Sequence, residues 1–173
     1  MKFPLFLFAL LALLAGACGS KEEAKPFPFL GEASSDSAGN SLPYQIPPFG
    51  FLNQDSVWVT DETVRGKIYI VDFFFTTCPD ICPKMKKQML RVYEKYEEND
   101  SLLLLSHSLF PQYDTVGLLR EYARNLGISS RRWHMLTGDQ DSIIAMANRY
   151  LVAAQKDAKA PGGVLHSGAF ILL

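Results

Sequence analysis

Ile68-Tyr-Ile-Val-Asp-Phe-Phe-Phe-Thr-Thr-Cys78-Pro-Asp-Ile-Cys82-Pro-Lys-Met85 is the stretch whose reading decides the fold. Its first eight residues are apolar on both faces apart from Asp72, as expected of a central strand covered on both sides. Two cysteines separated by three residues follow. Residues 83–97 then carry Met85, Met89, Val92 and Tyr96 at helical spacing, with Lys and Glu between them. Cys78 therefore follows a buried strand and Cys82 precedes a helix, with Pro79 or Pro83 suited to a first helical position. A helix N-terminus carries partial positive charge, which lowers thiol pKa values and favours thiolate. Lys84, Lys86 and Lys87 add positive potential if they lie close.

Working outward, residues 102–105 form a second buried strand. Residues 115–125 form a helix, with Asp114 as its N-cap and Gly127 as its stop. Residues 133–136 are a short strand. A third helix starts at Asp139 or Asp141 and turns Ile143, Ile144, Ala147 and Leu151 inward. Residues 157–163 form a loop and 169–173 a final strand. Upstream, residues 51–60 read as a hairpin turning at 53–56. Strands alternating with helices imply an α/β layered fold with a largely parallel centre.

The N-terminus reads as a targeting segment. Lys2 supplies positive charge, residues 3–14 are apolar but too few for an ordinary membrane span, and Leu14-Ala-Gly-Ala-Cys18 ends the run. That pattern resembles a bacterial lipoprotein signal, in which the cysteine is lipidated and becomes the new N-terminus. The alternative is an ordinary cleaved signal with an incidental cysteine. The expected layout is a signal at 1–17, a tether rich in Lys, Glu, Ser, Ala and Gly at 18–40, and one folded domain at 41–173. Three cysteines is an odd count for an exported chain. Lipid on Cys18 leaves Cys78 and Cys82 as an isolated pair, and closing so short a loop stabilises little, so the pair is redox-active or metal-binding rather than structural. A net charge of -1 with mixed Lys, Arg, Asp and Glu gives no footprint for nucleic acid.

Thiolates serve either disulfide exchange or a soft metal such as Cu(I) or zinc. The spacing is one residue wider than the Cys-x-x-Cys redox motif of thioredoxin-like proteins, which lets the sulfurs straddle an ion. Two thiolates do not close a site, so a third ligand is expected. Three histidines are available. His166 lies in a glycine-rich loop, Gly162-Gly-Val-Leu-His-Ser-Gly168, which in a thioredoxin-like sheet faces the dithiol. His107 ends a buried strand and His134 sits beside Trp133, where histidines are usually structural. Met85 is a soft donor on an apolar helix stripe, where core packing is the better reading.

At these residues the chain resembles the Sco/SenC family. Residues 66–85, Asp114-Thr115, the Leu119-Arg-Glu-Tyr-Ala stretch, residues 133–138 and the late His166 carry the resemblance, which covers about residues 42–173. It implies a thioredoxin-like fold with a glutaredoxin-type sheet and an N-terminal hairpin extension. It implies copper held by Cys78, Cys82 and His166, with Cys78 and Cys82 also forming a redox-active dithiol. It implies anchoring on the outer side of a bacterial or mitochondrial inner membrane; with the lipoprotein-type signal, the expected place is the bacterial cell envelope, anchored to the membrane by lipid and facing the periplasm or cell exterior. It implies delivery of copper to the binuclear site of cytochrome c oxidase subunit II, or reduction of the cysteines of that site or of other exported proteins. Two departures stand out: Leu165 where the family usually has aspartate before the histidine, and Phe110-Pro111 where it has Asp-Pro. The family also continues into a further strand and helix where this sequence stops at Leu173, so the domain reads as shortened at its C-terminus and is expected to leave part of its sheet uncovered.

Overall fold

A computed structural model of the chain describes residues 30–31, 34–35, 37–42 and 44–173. The expected signal segment and Cys18 lie outside the described residues, as does most of the expected tether. The described residues fall into two units, divided between Tyr44 and Gln45. In the first, β1 (Ser34–Ser35) pairs antiparallel with β2 (Ser41–Leu42).

The second unit carries the dithiol. It runs β3 (Gly50–Asn53), β4 (Trp58–Thr60), α1 (Asp61–Val64), β5 (Ile68–Phe74), α2 (Ile81–Lys95), β6 (Leu102–Ser108), α3 (Val116–Leu126), β7 (Trp133–Thr137), α4 (Gln140–Arg149), β8 (Ala154–Lys156), a 3-10 turn (Pro161–Gly163), β9 (Val164–His166) and β10 (Ile171–Leu172). The main sheet has the order β10-β5-β6-β7-β3-β4. Its centre, β5-β6-β7, is parallel, and the hairpin β3–β4 and strand β10 add antiparallel neighbours on either side. The expected parallel centre and N-terminal hairpin are therefore present.

The apolar runs of β5, β6 and β7 bury both faces because each face supports its own core. Alternation with period two sends Val71, Phe73, Leu103, Leu105 and Leu136 to one side, where Ile143 and Ala147 of α4 and Tyr150 at its C-cap meet them. Phe74, Leu104, Trp133 and Met135 point to the other side, against Cys82 and Met89 of α2 and Leu119 and Ala123 of α3. Helix α3 ends at Gly127, whose φ of 69° supplies the left-handed C-cap that the sequence suggested.

Two local expectations are corrected. Thr115, not Asp114, caps α3: its hydroxyl accepts from Leu118 N at 3.3 Å. Asp114 is fully buried and is occupied elsewhere. Helix α2 starts at Ile81 rather than Pro83, so Cys82 lies inside its first turn.

His107 is fully buried in an aromatic box. Its ring stacks on Phe73 at 4.9 Å between centroids and meets Phe51 edge-on at 5.3 Å, and neither ring nitrogen has a hydrogen-bond partner. Burial, with the nearby Lys86 charge second, depresses its pKa to about 3. In the unfolded chain it titrates near 6.5. The unfolded state therefore binds the extra proton between pH 6.5 and 3, and folding stability falls through that window by up to about 1.4 kcal/mol per pH unit. Urea unfolding at pH 7.5 and pH 5 is expected to show a smaller acid loss in His107→Leu than in the parent chain. An equal loss in both would remove His107 as the cause.

Candidate functional site

Strand β5 delivers the chain to the site, and a tight turn receives it: Cys78 N donates to Phe75 O at 3.2 Å. Both cysteines are free thiols; Cys78 is half-buried and Cys82 is buried. Their surroundings separate them. Partial burial alone would raise the Cys78 thiol. A hydrogen bond from Cys82, and the backbone N–H groups of Asp80, Cys82 and Ile81 at the start of α2, outweigh it and bring Cys78 below the ordinary cysteine range. Burial, reinforced by the neighbouring Cys78 sulfur, pushes Cys82 up to about 12. Cys78 is the sulfur poised to act as thiolate, and Cys82 is the one that keeps its proton.

A buried carboxylate fixes the approach to the pair. Asp114 accepts from Thr76 N at 3.1 Å, from the Thr76 hydroxyl and from the Ser108 hydroxyl. It ties the end of β6 to the segment just before Cys78. Of the three lysines near the pair, Lys84 is exposed and bonded to Asp80, and Lys87 is exposed. Lys86 is buried and paired with Asp72.

His166 is not in a loop as the glycine-rich sequence suggested. It ends strand β9, which pairs with β8 so that His166 stands opposite Ala154. The 157–163 loop is the tip of that hairpin. The hairpin lies against the site at two points. Gly162 packs over the Phe75 ring, and the His166 ring meets Phe75 edge-on at 6.0 Å. Just beyond, Gly168 lies on the first turns of α2, where an added Cβ would fall 2.8 Å from Ile81 Cγ1 and 3.2 Å from Met85 Sδ. His166 Nδ1 donates to the Ser167 carbonyl at 3.2 Å, which leaves the lone pair on Nε2. Burial holds its pKa below the usual histidine value, so the ring is neutral at physiological pH, as metal ligation requires.

The two thiols are thus brought together, and His166 is carried on a hairpin that packs against Phe75. Among the described residues, however, no three His, Cys, Asp or Glu side chains already form a metal-holding group. The other candidates are structural. His107 occupies the aromatic box, His134 Nδ1 accepts from Asn53 Nδ2 at 3.2 Å, and Met85 is buried beneath Gly168. The sequence reading missed the buried roles of Asp114 and of the Asp72–Lys86 pair. The signal available for the second was a lone acid in an apolar strand, with a lysine four residues after Cys82.

Gly168 gives a test of the hairpin's position. Gly168→Ala is expected to lift the segment after His166 from α2, weaken Cu(I) binding at least tenfold and cost about 1–3 kcal/mol, the usual range for overpacking. Adding Ile81→Ala should restore most of both, as read by chelator competition and urea unfolding. Unchanged Cu(I) affinity in Gly168→Ala would show that this contact does not position the histidine.

A buried parallel strand that opens through an asymmetric dithiol into a helix, with an antiparallel strand on its other side, defines a thioredoxin-like dithiol protein. The family is narrower than that. Residues 38–173 match the SCO1/SenC family, and the chain belongs to it. Its fold is similar to that of a SCO1/SenC family lipoprotein from Bacillus anthracis, with a TM-score of 0.68 and 26% identity over 75% of this chain and 78% of that one. It is similar to BsSco, a member of the Sco family of cytochrome c oxidase assembly proteins with a disulfide switch, with a TM-score of 0.65 and 31% identity over 75% and 77%. It is also similar to Arabidopsis thaliana ScoI with copper bound, with a TM-score of 0.61 and 30% identity over 73% and 79%. The chain spans 77% of the length of one curated relative and 32% to 50% of others.

Proposed function

We propose that this protein binds copper and acts in the assembly of cytochrome c oxidase, with Cys78, Cys82 and His166 as the copper ligands. Copper is its cargo, and the binuclear site of oxidase subunit II is the proposed acceptor. The observation that carries this reading is a thiolate-favouring Cys78 and adjacent Cys82 at the end of the segment that follows Phe75, with a neutral imidazole that keeps its lone pair on Nε2 on a hairpin packed against Phe75. Two soft sulfurs and one imidazole suit Cu(I) better than any hard cation. The copper-bound and oxidase-assembly relatives support the same reading. The rest of the proposed layout is a signal at 1–17, a tether at 18–40 and the domain at 41–173. Lipid on Cys18 would anchor the protein to the membrane and hold the domain facing the periplasm or cell exterior, as a SCO1/SenC lipoprotein relative suggests. Among the described residues no helix is long and apolar enough to cross a membrane.

Titration of the reduced domain with Cu(I) against a coloured chelator tests the reading. One Cu(I) per chain, withheld from the chelator, is expected. Failure of the reduced protein to compete would overturn it.

A second reading is favoured by the difference between the thiols. A half-buried, thiolate-favouring Cys78 beside a protonated Cys82 is the arrangement of a dithiol reductase. Cys78 thiolate would attack a substrate disulfide, expelling one substrate thiolate and forming a mixed disulfide. Cys82, losing its proton, would then attack Cys78 sulfur, closing the Cys78–Cys82 disulfide and releasing the second substrate thiolate. Two electrons pass to the substrate disulfide. The cysteines of the oxidase copper site, or of other exported proteins, are the proposed substrates.

A further inference from the structure

The most unusual chemistry beside the thiols is a lysine inside the core. Lys86 is 3% exposed, and its Nζ donates to Asp72 Oδ2 and to Ser106 Oγ, each at 2.8 Å. Asp72 is fully buried and also accepts from the Ser106 hydroxyl. Trp133 Nε1 donates to Ser106 Oγ at 2.9 Å. The ammonium lies 3.8 Å from the centroid of the Phe74 ring. Every polar group in the cluster is satisfied, yet a buried ion pair is a poor way to stabilise a core, since apolar residues of the same volume commonly do as well or better.

Its position suggests what it does. Cys82 and Lys86 are one helical turn apart on the buried face of α2, so their side chains are neighbours. Phe74, which lies under the ammonium, and Trp133, which bonds Ser106, belong to the same packed cluster as Cys82. Asp72 and Ser106 are register partners on β5 and β6 and together hold the ammonium. The lysine thus sets a fixed positive charge on the same buried helix face as the Cys82 thiol, while its carboxylate partner belongs to the sheet.

We propose that Lys86 is a positioning residue of the dithiol: its charge, fixed by Asp72 and Ser106, stabilises anionic sulfur at the Cys78–Cys82 pair and favours the reduced pair over the disulfide. The inference rests on the reading of this pair as the working site, and it applies whether the sulfurs hold Cu(I) or exchange disulfides. In the equilibrium that measures it, the protein S–S bond breaks and two monothiol molecules of the glutathione class form one S–S bond. Two electrons and two protons pass to the protein, and the fixed charge acts on the anionic share of the product.

The test is the equilibrium constant of the folded domain with reduced and oxidised glutathione. Lys86→Met is expected to disfavour the reduced pair about tenfold, equivalent to about 30 mV, and Asp72→Asn to favour it by a similar factor. Opposite shifts are the signature of charge; a merely structural role would move both variants in one direction or neither. Shifts of the same sign, or no shift in Lys86→Met, overturn the proposal. If Lys86→Met does not fold, Asp72→Asn is compared with Asp72→Asn/Lys86→Met. A reduced pair about tenfold less favoured in the double variant supports the proposal, and equal constants overturn it. Cu(I) binding by the parent chain is measured alongside. Binding without opposite shifts sinks the role of Lys86 and leaves the copper reading standing; opposite shifts without binding do the reverse.

Discussion

Cys78→Ala is expected to abolish Cu(I) retention and disulfide exchange together, and Cys82→Ala is expected to separate them. The reason is the unequal setting of the two sulfurs. Cys78 is half-buried, receives three backbone N–H groups of the α2 start and favours thiolate. Without it, the remaining thiol is still buried, which disfavours its thiolate, and offers neither a ready nucleophile nor a second soft donor. With Cys78 kept and Cys82 removed, attack on a disulfide still occurs, but nothing resolves the product, so a stable mixed disulfide accumulates. Mass spectrometry after incubation with oxidised glutathione should show one glutathione adduct on Cys82→Ala and none on Cys78→Ala. The reverse pattern would mean that the roles of the two cysteines are exchanged.

His166→Ala is expected to weaken Cu(I) binding by about 100-fold or more, beyond the 10–100-fold usual for an outer-shell partner, since it removes one donor in three. It should leave the glutathione equilibrium near that of the parent, because His166 bonds neither sulfur. Its ring touches Phe75 and the Ser167 carbonyl, so its loss leaves no buried group unpaired. His134→Ala is the matched control. That ring is buried against Asn53, and its removal should cost stability without changing Cu(I) affinity. Chelator competition on both variants decides the matter. Equal affinity in His166→Ala and the parent would take His166 out of the site.

The parts of this protein that were legible in the sequence are those set by local pattern. Residues 68–75 could be read as a two-sided strand because a parallel strand between two cores has no polar face. The hairpin at β3–β4 announced itself through its Asn53 turn, and the dithiol through its place between strand and helix. What stayed hidden depends on residues distant in the chain. Asp114 reads as an N-cap one residue before a helix, but Thr76, 38 residues away, claims its carboxylate. Lys86 reads as one of three lysines on a helix, and only the return of β6 with Ser106, beside β5 with Asp72, makes it a buried ion pair. His166 reads as a loop residue because Gly162, Gly163 and Gly168 surround it. Gly162 and Gly168 instead let the β8–β9 hairpin and the segment after it approach Phe75 and α2 closely.

The central claim is that Cys78, Cys82 and His166 hold Cu(I) together. X-ray absorption on the reduced, Cu(I)-loaded domain tests it most directly. Two sulfur neighbours and one imidazole nitrogen are predicted, with the nitrogen lost in His166→Ala. A copper shell of sulfur alone, or one unchanged in His166→Ala, would contradict the account.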